Sequence, residues 1–305
     1  MRKTFQFKLY QSKKNQVLHD QIDLSAEIYN HCVALHKRYY KMFGKSLNTY
    51  QLQKYLTKLK KQEKYQHWNL LGSQAIQDIT DRIDRAYQAF YTNVKDRKTG
   101  KIKRFVAPPS FKKRGKYKSF TLKQAGYRLL EGNRIKIGKQ VFKFSKSRAI
   151  LGLIKTLTVK RDPLGEIYLY FSSELPDPKA PNTQVKNSVG MDFGLKTFLT
   201  LSNGEKIESP QFFKKGLNAI RKANKNFSSK KKGSNHRKQA KINLARAHKK
   251  IGNQRKDFHF KLAKKLTDSF DVIIHEDLHI KAMQQLWGRK ISDLGFSDFV
   301  KIISY

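Results

Sequence analysis

The sequence has very little cysteine, with Cys32 as its single thiol among 305 residues. A disulfide within the chain needs two thiols, and a thiolate zinc site needs several, so both are excluded. Cys32 lies in a segment whose apolar residues recur at helical spacing, and we expect it to be a small buried core residue. Zinc is accordingly not an expected cofactor of this chain.

Long apolar runs are also missing, since no segment approaches the roughly 20 apolar residues that a membrane-spanning helix needs. Met1-Arg2-Lys3 is followed by an alternating pattern over residues 4–10, which predicts a strand rather than the continuous apolar stretch of a signal peptide. We therefore expect no membrane partner and a cytoplasmic location.

Acidic residues are scarce relative to basic ones. The chain has 23 Asp and Glu against 65 Lys and Arg, a formal charge of +42. Such self-repulsion indicates a polyanionic partner, nucleic acid or an anionic membrane, and nucleic acid is the better candidate because no apolar segment is long enough to span a bilayer. A nucleoid-associated location follows from that expectation.

Apolar residues recur at helical spacing in three early segments, at 13–43, at 49–61, and from an N-cap at Ser73 to Val94. Three amphipathic helices joined by short loops are typical of a bundle. A helix-turn-helix that reads the DNA major groove is an alternative with the same local signature.

After Pro108-Pro109 the apolar period changes to two, which predicts a small β-barrel or sandwich that the first strand joins. The predicted strands of this part are 118–123, 134–139, 141–144, 151–160 and 166–173. Pro176, Pro178, Pro181 and Asn182 indicate a domain boundary near residue 185. Strands at 188–193, 197–202 and 205–209, two basic helices and a buried strand at 271–276 follow. The predicted fold class is a multidomain α+β protein.

Two acidic residues stand in apolar strands of this last part. Asp192 follows Val189 and Met191, and Glu276 ends an apolar run at 272–274. A buried carboxylate is costly unless a cation neutralises it. In a ribonuclease-H-like sheet these strands are neighbours, which would let both carboxylates share Mg²⁺ or Mn²⁺. An Asp that points to water from an edge strand is the alternative for Asp192 alone. We expect His275 and His279 to be structural or to support the metal ligands without binding the metal themselves.

Between these acids, residues 211–265 contain 19 Lys and Arg and one acid, Asp257. One-sided charge indicates phosphate binding here and at a second basic cluster, residues 111–116. We expect the Phe side chains among the basic residues to anchor helices to the sheet, with base stacking as the alternative. The predicted nucleic-acid contacts are Lys112, Lys113, Arg114, Arg221, Lys222, Lys230, Lys231, Lys232, Arg237, Lys249, Lys250, Arg255 and Lys256.

Several motifs along essentially the whole chain together resemble the TnpB (OrfB) family of insertion-sequence proteins, relatives of type V CRISPR effectors. The residues that carry the resemblance are Ala86-Tyr87-Gln88-Ala89-Phe90, Pro109-Ser110-Phe111-Lys112-Lys113-Arg114, Gly190-Met191-Asp192-Phe193-Gly194, Ala245-Arg246-Ala247-His248 with residues 251–258, and His275-Glu276-Asp277-Leu278. The resemblance implies an RNA-guided DNA endonuclease, with a guide RNA and target DNA as partners.

It also implies a wedge-like β-barrel (residues 1–10 and 106–180), a helical recognition lobe (11–105) and a RuvC-like nuclease domain (186–305). By the family pattern, Asp192 and Glu276 would be the first two catalytic acids and would bind Mg²⁺ or Mn²⁺ for two-metal hydrolysis of DNA.

The sequence departs from the family pattern after Phe296, because it ends at Tyr305 without the paired Cys-x-x-Cys motifs and the third acid. We therefore expect an incomplete RuvC domain that binds RNA but cleaves poorly or not at all. A guide-directed DNA binder without nuclease activity is one alternative. A basic transposase or RNA-binding protein that uses no guide is another.

Overall fold

The computed structural model describes residues 1–113, 115–177 and 185–304. The chain divides into two compact units, Met1–Lys179 and Ala180–Tyr305. Both contain helices and sheets, which confirms the α+β class. Among the predicted residues, Arg114 and the boundary residues Pro178, Pro181 and Asn182 lie outside the described ranges.

The helices are α1 (Gln16–Phe43), α2 (Thr49–Leu59), α3 (Ser73–Lys98), α4 (Phe212–Ser229), α5 (Asn235–Ser269), α6 (Ile280–Trp287), α7 (Arg289–Leu294) and α8 (Phe296–Ile303). The strands of the first unit are β1 (Arg2–Lys8), β2 (Ser119–Leu122), β3 (Tyr127–Leu130), β4 (Arg134–Ile137), β5 (Gln140–Lys143), β6 (Leu153–Arg161) and β7 (Ile167–Glu174). The strands of the second unit are β8 (Ser188–Phe193), β9 (Thr197–Leu201), β10 (Lys206–Glu208) and β11 (Val272–His275). Short 3-10 helices cover Lys13–Asn15 and Glu63–Leu70.

The strands of the first unit form two antiparallel sheets, one in the order β1-β7-β6-β2 and one in the order β3-β4-β5. Strand β1 pairs with β7 in register Phe5↔Phe171, so the first strand joins strands more than 150 residues later, as predicted. A single bridge, Leu9↔Phe144, connects the two sheets. The pairings among the described residues do not close a barrel, so this part is two linked sheets.

Helices α1, α2 and α3 pack into the same core as these sheets. Helix α1 buries Cys32 completely, which confirms its place in the core, and burial raises the pKa of this thiol to about 12. Helix α3 begins at Ser73, but its N-cap is Gly72 and no side chain caps it, so the predicted cap at Ser73 is wrong by one residue.

The periodicity missed strand β3 and the short helices α6, α7 and α8. Strand β3 is only four residues long and follows a turn at Gly126, too short for an alternating pattern to stand out. Helix α6 begins directly after the loop at 276–279, and with 8 residues it is too short for a helical period to stand out in the sequence. No helix among the described residues is long and apolar enough to cross a membrane.

The second unit is built on a four-stranded sheet in the order β10-β9-β8-β11. Strands β8, β9 and β10 form the predicted meander, and β11 returns parallel to β8 after the α4–α5 hairpin. The core of the unit lies between this sheet and helices α5 and α8, and includes Phe198, Leu266 and Phe299. Strand β11 is an edge strand with Ile274 62% exposed, so its predicted full burial is wrong.

Candidate functional site

Strand β8 presents two different faces because successive side chains alternate. Val189, Met191 and Phe193 are buried in the core of the second unit. Gly190 and Asp192 therefore lie on the opposite face, where Asp192 is exposed. The sequence pattern places the Asp192 carboxylate in an apolar strand. Because the side chain points away from the core, it stays in water, and the free-energy cost of burying a charge does not arise.

Strand β11 places Glu276 beside Asp192. The parallel register pairs Ile274 with Gly190 and His275 with Met191, and continuing it by one residue sets Glu276 opposite Asp192. Glu276 is the first residue after β11, and both Ile274 and Glu276 are exposed. Neighbouring strands are about 4.8 Å apart, so the backbone that carries Glu276 leaves the sheet next to the strand that carries Asp192. The predicted adjacency of these strands is confirmed.

Neither carboxylate has an ion pair or hydrogen bond within the described part of the chain. The same part contains no group of three or more His, Cys, Asp or Glu side chains that could hold a metal ion. Two carboxylates on neighbouring strands repel each other, and among the described residues neither has a basic side chain as a partner, although the chain carries a charge of +42. The pair is therefore open to an external cation.

The residues around the pair are held by backbone contacts. Ser202 Oγ accepts a hydrogen bond of 3.0 Å from the backbone N–H of Gly190, which fixes β8 against the end of β9. The Asp271 carboxylate accepts 3.1 Å bonds from the backbone N–H groups of Lys186 and Asn187, which ties the start of β11 to the start of β8. His275 lies 3.0 Å from the carbonyl of Glu276 through Nδ1, in keeping with a structural role.

A basic helical hairpin, α4 and α5, connects the meander to β11. Gly216 allows its two helices to approach closely, because an added Cβ would lie 2.5 Å from Ile251 Cδ1. Ser234 is the N-cap of α5, and its Oγ accepts a 3.1 Å bond from the backbone N–H of Arg237. Along this hairpin the positive charge is mostly exposed, which suits contact with phosphates.

Most of the cations predicted to contact nucleic acid are exposed on this hairpin. They are Arg221 and Lys222 on α4, Lys230, Lys231 and Lys232 in the turn, and Lys250 and Lys256 on α5. Lys249, half-buried, is also on α5. The first unit carries the exposed Lys112 and Lys113, while Arg114 lies outside the described residues.

Two of the predicted cations are used inside the fold. The Arg237 guanidinium donates to the carbonyls of Phe227 at 3.0 Å and Lys230 at 2.7 Å, and lies 4.2 Å above the Phe227 ring. Arg255 is half-buried, 3.7 Å from the Asp293 carboxylate. Both side chains therefore shape the hairpin and its packing.

The aromatic side chains of the hairpin separate into two groups. Phe258 packs 5.3 Å from Phe198 and 6.1 Å from Phe212, so these rings anchor the hairpin to the sheet, as expected. Phe260 is 49% exposed and lies 5.6 Å from Lys256 Nζ. Base stacking remains a prediction for Phe260.

Asp293 has a role that the sequence did not reveal. Helix α4 follows Gln211, whose φ of 47° is left-handed, and no side chain of its own caps the helix. The Asp293 carboxylate, 80 residues away on α7, accepts 2.9 and 3.1 Å bonds from the backbone N–H of Phe213. An acid at a helix N-terminus offers no sequence signal when it comes from so far along the chain.

Similarity searches give consistent matches. Residues 170–286 match the OrfB_IS605 family, described as "Probable transposase". A protein of Streptomyces pristinaespiralis, named as an RNA-guided DNA endonuclease, is 33% identical over 152 residues, 49% of this chain. A protein of Escherichia coli strain K12, named as the RNA-guided DNA endonuclease InsQ, is 28% identical over 226 residues, 73% of this chain. The TnpB-like protein L770 of Acanthamoeba polyphaga mimivirus is 28% identical over 264 residues, 78% of this chain.

The matched regions span 37%, 52% and 48% of these three relatives, so the chain covers about half or less of their length. A solved Cas12f1–sgRNA–target DNA complex aligns with 100% of this chain and 83% of its own protein chain. The alignment has 13% identity and a TM-score of 0.34.

Proposed function

We propose that the chain is a member of the TnpB (OrfB) family of insertion-sequence proteins and that it binds a guide RNA and the DNA that the guide matches. The relatives named as RNA-guided DNA endonucleases support this activity class. Watson–Crick pairing of the guide would select the DNA, and basic side chains would hold the nucleic acid by its backbone.

The exposed lysines of the α4–α5 hairpin supply the backbone contacts in this proposal. Residues 211–265 carry 19 Lys and Arg against one acid, and the described members of the predicted set are mostly exposed. Since each neutralised phosphate releases counterions, binding through this hairpin should weaken steeply with salt.

The observation that carries the nuclease part is the Asp192–Glu276 pair, two exposed carboxylates on neighbouring strands without an ion pair among the described residues. Their oxygen donors fit Mg²⁺ or Mn²⁺, since Mg²⁺ commonly takes one or two carboxylates and keeps several waters. When bound, such a cation would polarise a phosphodiester and activate water. The two carboxylates would hold it beside the DNA backbone.

The metal site is tested by Mn²⁺ titration of the nucleic-acid-free chain, followed by electron paramagnetic resonance. Asp192→Asn and Glu276→Gln should each remove the tightest Mn²⁺ site, because each removes one of its charged ligands. Glu208→Gln, an exposed acid on β10 of the same sheet, is the matched control and should keep it. Equal Mn²⁺ binding by all four proteins would refute the assignment.

The guide is tested separately by the ultraviolet absorbance of the purified chain before and after ribonuclease treatment, with sequencing of any bound RNA. A defined RNA that directs binding to matching DNA supports the proposal. RNA-free protein would favour a guide-independent basic protein instead. Weak or absent cleavage by this chain stays a prediction, and incubation of the RNA complex with matched DNA and Mg²⁺ checks it.

A further inference from the structure

The C-terminal half of α1 carries an exposed band of aromatic and basic side chains. Tyr40 is 59% exposed and Phe43 57% exposed, three residues apart on adjacent turns. The helical repeat of 3.6 residues sets Tyr40 between Phe43 on one side and Lys37 with Lys41 on the other. All four residues are at the helix surface, with the two rings side by side and the two lysines next to them.

The band continues onto the second basic cluster of the first unit. Lys37 Nζ lies 4.9 Å from the ring centroid of Phe111, which is 56% exposed. Asn30 fixes the neighbouring backbone in place, because it donates to the Lys112 carbonyl at 2.9 Å and accepts from the Lys112 N–H at 2.8 Å. Phe43, Tyr40, Lys37, Lys41, Phe111 and Lys112 thus form one surface, here termed the α1 track.

The end of α1 is rigidly built. Gly44, at φ 63°, closes the helix with its N–H bonded to the Tyr40 carbonyl at 2.9 Å. Asn48 and Gln51 then form a reciprocal capping box at the start of α2. The Tyr39 and Phe43 ring centroids are 4.7 Å apart, so the Tyr39 ring packs against the Phe43 ring. The helix end is therefore well ordered, and the Tyr40 and Phe43 rings on it are accessible to a ligand from solvent.

Charge decides which partner suits these rings. Residues 28–62 contain eight Lys and Arg and no Asp or Glu, and residues 97–130 contain twelve and none. Both parts of the α1 track come from these acid-free stretches. A ligand for exposed rings beside lysines should carry negative charge for the lysines and flat apolar groups for the rings. Unpaired nucleotides have both, since the phosphate is an anion and the base is a flat ring.

We propose that the α1 track binds single-stranded nucleic acid, with unpaired bases stacked on Tyr40, Phe43 and Phe111 and phosphates beside Lys37, Lys41 and Lys112. It is separate in sequence from the α4–α5 hairpin and the Asp192–Glu276 pair. The inference rests on the proposed function only for its class of ligand, and it adds contact by the bases themselves, independent of their sequence.

The test uses the full chain, freed of bound nucleic acid, with fluorescent oligouridine, oligothymidine and an abasic sugar-phosphate strand of equal length, about 12 nucleotides. Binding is measured by anisotropy at one fixed salt concentration. Tyr40→Ala, Phe43→Ala and Phe111→Ala should each weaken binding of both base-containing strands about fivefold or more, and leave the abasic strand unchanged. The uridine and thymidine arms show whether the track prefers RNA or DNA.

Met42→Ala is the matched control, because Met42 is 72% exposed at the same helix end but has no ring. It should bind all three strands as the parent does, and Tyr40→Phe should retain base binding. Lys37→Gln with Lys41→Gln should weaken all three strands, including the abasic one. Thermal melting should be unchanged in the ring variants, since these side chains are exposed.

Equal losses on abasic and base-containing strands, or no loss from the ring variants, would overturn the proposal. Ring variants that alter sedimentation of the free chain while leaving oligonucleotide binding intact would show a protein interface instead. Asp192→Asn should not affect homopolymer binding, so failure of the metal site and failure of the α1 track give different results.

Discussion

In the first unit Asp78 lies 2.8 Å from Arg82 and Asp23 lies 2.5 Å from Arg161, so both acids form ion pairs. In the second unit Asp192 and Glu276 have no such partner among the described residues, although the chain has 65 Lys and Arg. The contrast shows that excess basic charge alone does not neutralise every acid. Where each carboxylate stands in the fold decides whether a lysine or arginine reaches it.

The two units also differ in how charged side chains hold their helices in place. Arg82 links α3 to the sheet of the first unit, through bonds of 2.9 Å to the Ser119 carbonyl and 3.0 Å to Thr121 Oγ1. In the second unit Asp293 holds the start of α4. Half-buried charges thus join elements in one unit and secure a helix end in the other, and four measurements test this difference.

The largest effect is expected from Phe198→Ala in the core of the second unit. Phe198 is fully buried and its ring lies within 5.6 Å of Phe258, Phe296, Phe299 and His259. Its truncation should destabilise this unit by about 3–5 kcal/mol through lost contacts and a cavity. Hydrogen exchange resolved by peptide should show faster exchange in β8, β9 and α5. Equal acceleration throughout Met1–Lys179 would contradict separate cores.

Asp78→Ala should have the next largest effect, and in the first unit. The Asp78 carboxylate is 7% exposed, pairs with Arg82, and accepts a 3.0 Å bond from the Thr121 N–H. Removing it leaves a partly buried guanidinium without its counter-charge, at a cost of about 3 kcal/mol in unfolding free energy. Chemical denaturation with exchange in α3 and β2 measures the loss.

Asp81→Ala is the control for that change. Asp81 lies three residues further along α3 and pairs with Lys123, but this pair is more exposed. Its removal should cost less than about 1 kcal/mol. Equal losses for the two variants would show that burial does not set the strength of these pairs.

Asp293→Ala should destabilise α4 by about 1–2 kcal/mol, the usual range for a lost N-terminal cap. Faster hydrogen exchange should be confined to the first turns of α4 and to the neighbourhood of Arg255, which loses the nearby charge. Asp298→Ala, an exposed acid on α8, should leave α4 unchanged. No change at α4 in the Asp293 variant would show that water replaces this cap without cost.

The smallest effect is a pH dependence of the second unit. Burial lowers the pKa of His259 from its ordinary value of 6.5, against the raising effect of its 3.0 Å contact with the Leu294 carbonyl. The unfolded chain therefore takes up the proton more readily than the folded unit. Stability should be full above pH 6.5 and decline as the pH falls below it.

His259→Gln should flatten this decline in hydrogen exchange of α5, measured between about pH 7.5 and pH 5. His36, also buried, has a pKa lowered mainly by burial, so the first unit should keep its own dependence in that variant. A decline in α5 that persists unchanged without the His259 imidazole would assign the effect to other groups.

Much of the fold follows from local pattern. Helices α1, α2 and α3 and the strands of both units lie close to their predicted ranges, because apolar periods of 3.6 and two are properties of neighbouring residues. The core position of Cys32 follows from the same pattern. The exceptions, β3, α6, α7 and α8, are short elements in which few periods are available.

The candidate site was predicted in part. The sequence indicated Asp192 and Glu276 as a pair, and the parallel register confirms that their strands are adjacent. It did not show that Arg237 closes the hairpin turn or that Asp293 caps α4. Both depend on contacts across loops, and a residue's type does not reveal which distant backbone group it meets.

The sequence by itself determined the charge of +42, the periods of the helices and strands, and the acid-free stretches that call for a polyanion. The tertiary structure alone decided which face of β8 carries Asp192, that β11 lies at the sheet edge, and that Phe111 joins α1 at Lys37. The reason is physical. Backbone conformation responds to adjacent side chains, whereas pairing and packing bring together groups whose separation along the chain leaves no local trace.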